Sequence, residues 1–279
     1  MEYLKLNNGV EMPVEGLGTF LMSPAEAEAA SLAALEVGYE HIDTANAYMN
    51  EKAVGRAIAK SGVDREKLFV STKLWPSVYE AGDAAVDGTL ARLGLEYVDM
   101  LILHQPVGDY LAAWKTMEKA YRDGKVRALG LSNFPQDKIA EVIEAAEIKP
   151  QLVTVECHPY FAQTELRGFL EPYGIVIEAW YPLGHGDAAL QAEPVFTELA
   201  GKYGKTPAQV ILRWHTQMGT SIIPGSKNPQ HIADNADIFD FTLTDEEMAR
   251  IAELDGTKKY YKATEEALAG YLAMKPDFD

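Results

Sequence analysis

The chain has 279 residues, 47% of them hydrophobic and 24% charged, with a formal net charge of −17. Such a composition suits a globular protein with a sizeable core, and the acidic balance excludes nucleic acid and anionic membrane as partners, since both require clustered Lys and Arg. The single cysteine, Cys157, excludes an internal disulfide and points to a reducing cytoplasm, and neither an apolar signal segment nor a membrane-spanning apolar run is present.

The opening MEYLKLNNGVEMPV reads as a two-stranded hairpin turning at Asn8-Gly9. Eight short apolar runs follow in order: VEGLGTF, YEHID, LFVSTKL, VDMLILH, VRALGLS, QLVTVEC, IVIEAW and TSIIPG. They are near-continuously apolar, as parallel strands covered on both faces are, and longer amphipathic segments separate them. The first of these segments has Ser23 as N-cap, Pro24 at N1, Glu26 at the capping-box position and Gly38 just past its end. Gly124 closes a second, Asn133 and Pro135 open a third, and Thr206-Pro207 open a fourth. The pattern predicts an α/β fold, a (β/α)8 TIM barrel of one domain over residues 1–279, with an N-terminal β-hairpin and a C-terminal tail.

Gly16-Leu17-Gly18 imitates the start of a dinucleotide fingerprint but lacks its third glycine and the following helix start, so these glycines read as sites of close strand packing. More informative are Asp43, Tyr48, Lys73 and His104, at the downstream ends of three consecutive runs, where a parallel barrel does its chemistry. A phenol donates a proton to a developing alkoxide at neutral pH only if its conjugate base is stabilised, and a neighbouring ammonium does that. Tyr48 is therefore the candidate general acid, Lys73 the group that lowers its pKa, Asp43 the partner that holds Lys73, and neutral His104 the donor to a substrate carbonyl. Side chains supply no hydride, so a nicotinamide cofactor is implied. Two other readings of the same residues remain: a Schiff-base lyase using Lys73, and a non-catalytic nicotinamide-binding subunit or sensor. Cys157-His158 offers one thiol and no metal-ligand spacing, so no metal is expected. His41 reads as packing or support for Asp43, and His185, His215 and His231 as surface or loop residues.

GVEMPVEGLGTF, HIDTANAYMNEKAVGRAI, LFVSTKLW, YVDMLILHQP, VRALGLSNF, VECHPY and IIPGSKNPQHIADN, covering the chain to about Leu254, together resemble the aldo-keto reductases, especially bacterial members of the diketo-gluconate and methylglyoxal reductase kind. The resemblance implies reduction of aldehydes or activated ketones with NADP(H) bound in extended form, and it carries the catalytic tetrad onto Asp43, Tyr48, Lys73 and His104. It also implies that Ser132 and Asn133 bind the nicotinamide carboxamide, with Thr154 where the family usually has Gln, and that Trp180 stacks on the ring. Pro182, Leu183 and Gly184 match the loop over the pyrophosphate, and Ser226, Lys227, Asn228, His231 and Asn235 the segment around the 2′-phosphate. Gly225 and His231 stand where NADPH-preferring members often carry Lys and Arg, so Lys227 is the compensating cation and NADH use is expected alongside NADPH. Phe20, Trp75 and Gln105 line the expected substrate pocket; Gln105 in place of Trp suggests small oxygenated carbonyls such as α-oxoaldehydes or keto-sugars. A monomer is expected.

Overall fold

The computed structural model describes residues 1–278. Two hairpin strands, β1 (Tyr3–Lys5) and β2 (Glu11–Pro13), precede the barrel and turn through Asn8 and Gly9, whose φ of 87° only glycine adopts freely. The barrel strands are β3 (Leu17–Gly18), β4 (His41–Asp43), β5 (Phe69–Leu74), β6 (Met100–Leu103), β7 (Leu129–Ser132), β8 (Leu152–Glu156), β9 (Val176–Trp180) and β10 (Ser221–Ile222). They pair in sequence order, all parallel. The two edges meet as Gly16 N donates to Ile222 O at 2.8 Å and Ile222 N donates to Val14 O at 2.9 Å, which closes the sheet.

The outer ring holds α1 (Pro24–Glu36), α2 (Glu51–Ser61), α3 (Asp83–Leu93), α4 (Tyr110–Arg122), α5 (Gln136–Ala145), α6 (Thr164–Leu170), α7 (Ala188–Gln191), α8 (Pro194–Tyr203), α9 (Pro207–Gln217), α10 (Pro229–Ala236) and α11 (Asp245–Ala252). The capping box at Ser23/Glu26 starts α1 as the sequence predicts, and Thr206-Pro207 start α9, where Gln209 completes a second box. The hairpin plugs the amino-terminal end of the barrel, where Leu6 and Met12 pack with Phe69, Met100, Ile102, Ala128 and Leu152. The barrel therefore has an apolar floor, with the Asp43–Lys73 pair above it.

The glycine decoy behaves as a packing device. A Cβ on Gly16 would lie 2.4 Å from His41 Nδ1, and one on Gly18 would lie 2.6 Å from the Ile223 carbonyl oxygen. The tail is not a loose end. Its helix α12 (Glu265–Ala273) brings Tyr271 against Trp75, and the Trp75 indole donates to Met274 O at 3.2 Å. Among the described residues, no helix is long and apolar enough to cross a membrane.

Candidate active site

Asp43 ends β4 and Lys73 lies in β5, so period-two alternation turns both inward at neighbouring heights. The Lys73 ammonium is in direct contact with Asp43 Oδ1 and also donates to Thr44 O at 3.0 Å. Both side chains are buried. Burial works against the ammonium, but the charge of Asp43 in direct contact outweighs it and holds Lys73 protonated well above its ordinary range.

Tyr48 lies on a single turn, Asn46–Tyr48, that two asparagines fix in place. Asn46 Oδ1 accepts from Trp75 N at 3.0 Å; Asn50 Nδ2 donates to Thr19 O and Met22 O, while its Oδ1 accepts from Thr44. The Lys73 nitrogen is 5.2 Å from the centre of the Tyr48 ring. The phenol is nonetheless pushed up to about 12, because withdrawal from water outweighs the pull of Lys73. Lys73 lowers the phenol as the sequence reading expects, but burial, which that reading left out, is the larger effect, and Tyr48 stays protonated across the neutral range.

His104, just past β6, meets the Tyr48 ring at 5.5 Å and the Trp75 ring at 5.0 Å, both edge to face. Burial first, and the Lys73 charge second, hold its imidazole well below the usual range, so it is neutral and can donate a hydrogen bond. Carbonyl turnover at this site is expected to show no inflection near pH 6.5, the ordinary histidine value; a kcat profile from pH 5 to 8 checks this, and an acid limb centred there would contradict a neutral His104.

Beside His104 lies a second linked group. Asn133, held at a φ of 63°, donates from Nδ2 to His104 O at 3.3 Å and to Ser132 Oγ at 3.1 Å, while its Oδ1 accepts from Trp180 Nε1 at 3.0 Å. Thr154, the register partner of Ser132, donates to Glu178 Oε2 at 2.9 Å. Ser132 thus keeps a free hydroxyl hydrogen, and Asn133 Oδ1 and Thr154 Oγ1 keep free lone pairs. That set of one donor and two acceptors complements a carboxamide, which offers one carbonyl and one NH2.

Phe20 meets the Tyr48 ring at 5.1 Å, tilted by 51°, and is half exposed, whereas Trp75 is buried under the tail. Gln105 is buried as well; Tyr79 fixes its backbone, and its Oε1 has no partner. The loop after β9 is tied down at both ends. Pro182 O accepts from His215 Nε2 at 3.1 Å, Leu183 packs on the core around α8 and α9, and Gly184 lies close under Leu190 and Tyr260. His215 is fully buried rather than at the surface, since it serves this contact. Asp187 closes the loop by accepting from Tyr260 at 2.8 Å and contacting Lys258 of the tail.

The segment after β10 shares no hydrogen bond or ring contact with the tetrad. A side chain at Gly225 would press on the Gly18 carbonyl at 3.0 Å, which explains the glycine there. Asn228 caps α10 by accepting from Gln230 N, Ser226 Oγ accepts from Asn228 N, His231 is exposed and Asn235 is buried. Lys227 is not free: it pairs with Glu26 Oε1 at 3.0 Å. Among the described residues, no three His, Cys, Asp or Glu side chains converge to hold a metal ion.

The model for the Aldo/keto reductase family matches residues 16–256. The chain belongs to this family. It is 46% identical over 268 residues to a morphine 6-dehydrogenase of Pseudomonas putida, covering 90% of each chain. It is 46% identical over 256 residues to a glyoxal reductase of Bacillus subtilis, covering 90% of this chain and 92% of that one. The structure of a Bombyx mori aldo-keto reductase in complex with NADP superposes with a TM-score of 0.88 at 34% identity, covering 94% of this chain and 95% of that chain. The chain is accordingly an oxidoreductase of aldehydes or ketones and alcohols, as its family and named relatives are.

Two groups in this aldo-keto reductase escaped the sequence reading. Glu178 sits mid-strand in IVIEAW, two residues before Trp180 and therefore on the same inward face; its carboxyl is raised to about 8 by burial and by Asp43. The other is the tail contact at Glu156, whose carboxylate accepts from the backbone NH groups of Tyr260 and Tyr261 at 2.6 and 2.9 Å. A charged residue inside an apolar strand was the available signal for both.

Proposed function

We propose that this aldo-keto reductase reduces small oxygenated aldehydes and activated ketones, using NADPH and to a lesser degree NADH, in a single-domain monomer of the cytoplasm. The observation that carries the reading is the buried Asp43–Lys73 pair beneath the Tyr48 phenol, with a neutral His104 ring edge beside it. When bound, the reduced nicotinamide supplies the hydride that no side chain can. His104 donates a hydrogen bond to the substrate carbonyl oxygen and so fixes its position. Tyr48 gives its proton to that oxygen as negative charge develops there, and the Lys73 ammonium stabilises the phenolate left behind. Asp43 keeps the ammonium charged and in place. A lysine so firmly protonated is no nucleophile, which argues against Schiff-base chemistry.

Ser132, Asn133 and Thr154 would hold the carboxamide, Trp180 would cover the ring, and Pro182, Leu183 and Gly184 would lie over the pyrophosphate. Ser226, Lys227, Asn228, His231 and Asn235 would surround the 2′-phosphate. The preference for small oxygenated substrates rests on the tail that covers Trp75 and on Gln105, a polar side chain where the family's animal members carry Trp. The named glyoxal reductase relative agrees with it.

Lys227 must exchange Glu26 for a phosphate, which lowers the advantage of NADPH. Glu26→Gln keeps an N3 residue able to complete the capping box but removes the competing charge. It is expected to tighten NADPH about two- to fivefold and leave NADH unchanged, as read by quenching of tryptophan fluorescence. Equal effects on both cofactors would remove Lys227 from phosphate recognition, and failure of wild type to bind either would overturn the cofactor assignment.

A further inference from the structure

The ion pair under Tyr48 does not end at Asp43. Ser71 is the register partner of Asp43 and lies two residues before Lys73, so β5 turns both inward. Its hydroxyl donates to Asp43 Oδ2 at 2.7 Å, while Oδ1 faces Lys73. Below it, His41 Nε2 is 2.9 Å from the same Ser71 oxygen. A serine has one hydrogen to give. With that hydrogen committed to a carboxylate that can only accept, the oxygen must accept from His41, which fixes the imidazole as the Nε2–H tautomer.

The remaining ring atoms agree. His41 Nδ1 is buried with no partner, which suits a bare lone pair and would be costly for an N–H. The ring is boxed in by Phe69, whose centroid is 5.0 Å away, and by Gly16, where a Cβ would overlap Nδ1. Burial, and then the Lys73 charge, lower the imidazole to about 3, so the neutral tautomer persists across the working range. Asp43 and Lys73 carry charge in the chain of contacts above it, and the carboxyl of Glu178 in β9 lies close to the same pair.

We propose that Ser71 and His41 are positioning residues of the catalytic site: through one directed hydrogen-bond chain they fix the carboxylate of Asp43, and through it the ammonium beneath Tyr48. This deepens the reductase reading and rests on it. Ser71→Ala removes one charge-assisted bond to Asp43 and leaves a cavity of one oxygen atom. The expected result is a fall of about tenfold in kcat with carbonyl KM and cofactor Kd unchanged; Ser71→Thr, which keeps the hydroxyl, restores most of it.

Nitrogen NMR of His41 supplies a readout that needs no turnover. Wild type is expected to show the neutral Nε2–H tautomer unchanged from pH 5 to 8, and Ser71→Ala to lose that fixed tautomer. An Nδ1–H or protonated His41 overturns the proposal, as does a Ser71→Ala enzyme that loses thermal stability but keeps its kcat. If wild type reduces no carbonyl, the reductase reading fails while the tautomer measurement still decides the contact chain.

Discussion

Tyr48→Phe is expected to lower carbonyl reduction by about 10³-fold while leaving cofactor binding unchanged. The substitution removes one oxygen from a half-buried ring and keeps its contacts with Phe20 and His104, so the fold around it has little reason to move. What disappears is the only proton donor that is both protonated at neutral pH and placed over the Lys73 ammonium. His104 cannot substitute, because its single proton is the hydrogen bond that holds the carbonyl and the Lys73 charge opposes acquiring a second. Single-turnover kinetics with saturating reduced cofactor isolates the step. Turnover within tenfold of wild type would remove Tyr48 from the acid role.

Lys73→Met is expected to cost both activity and stability. The variant leaves Asp43 buried with only Ser71 as a side-chain donor, and stranding a buried charge typically costs about 3–5 kcal/mol. Activity should fall by about 10²-fold or more, since the phenolate left by proton transfer then has no neighbouring cation. The double variant Lys73→Met with Asp43→Asn separates the two effects. It is expected to regain most of the lost stability, because no charge is left unpaired, and none of the lost activity. Denaturant unfolding and kcat on wild type, Lys73→Met, Asp43→Asn and the double variant complete the cycle. A single variant as stable as wild type would mean that the pair is not buried as a unit.

Much of this was legible in the sequence because parallel barrels impose it. Runs such as LFVSTKL and VDMLILH are apolar throughout since each strand is covered on both sides, and the residue that breaks the run at its end is the one that reaches the mouth. Asp43, Lys73 and His104 were found in that way. Tyr48 was picked out by its place just after such a run and by its chemistry, whereas nothing local marks Asn46 and Asn50, whose partners across the site fix its turn.

Long-range contacts account for what was not legible. Whether Lys227 is free depends on Glu26, two hundred residues earlier and brought alongside only when the barrel closes. The direction of the Tyr48 shift depends on how much protein surrounds the phenol, which no local pattern encodes. The tail gave no periodic signal that it would reach Trp75 and the loop at Asp187; those contacts are a few hydrogen bonds, one ring contact and one ion pair made by scattered residues.

The central claim is that this site reduces a carbonyl at the expense of a nicotinamide. Loss of reduced-nicotinamide absorbance, with NADPH and NADH in parallel against short aldehydes, α-oxoaldehydes, aromatic aldehydes and keto-sugars, tests it most directly. Turnover with small oxygenated carbonyls, faster with NADPH and nearly abolished by Tyr48→Phe, is the expected result. Cofactor binding without turnover of any carbonyl would contradict the account and leave a nicotinamide-binding protein without the reaction.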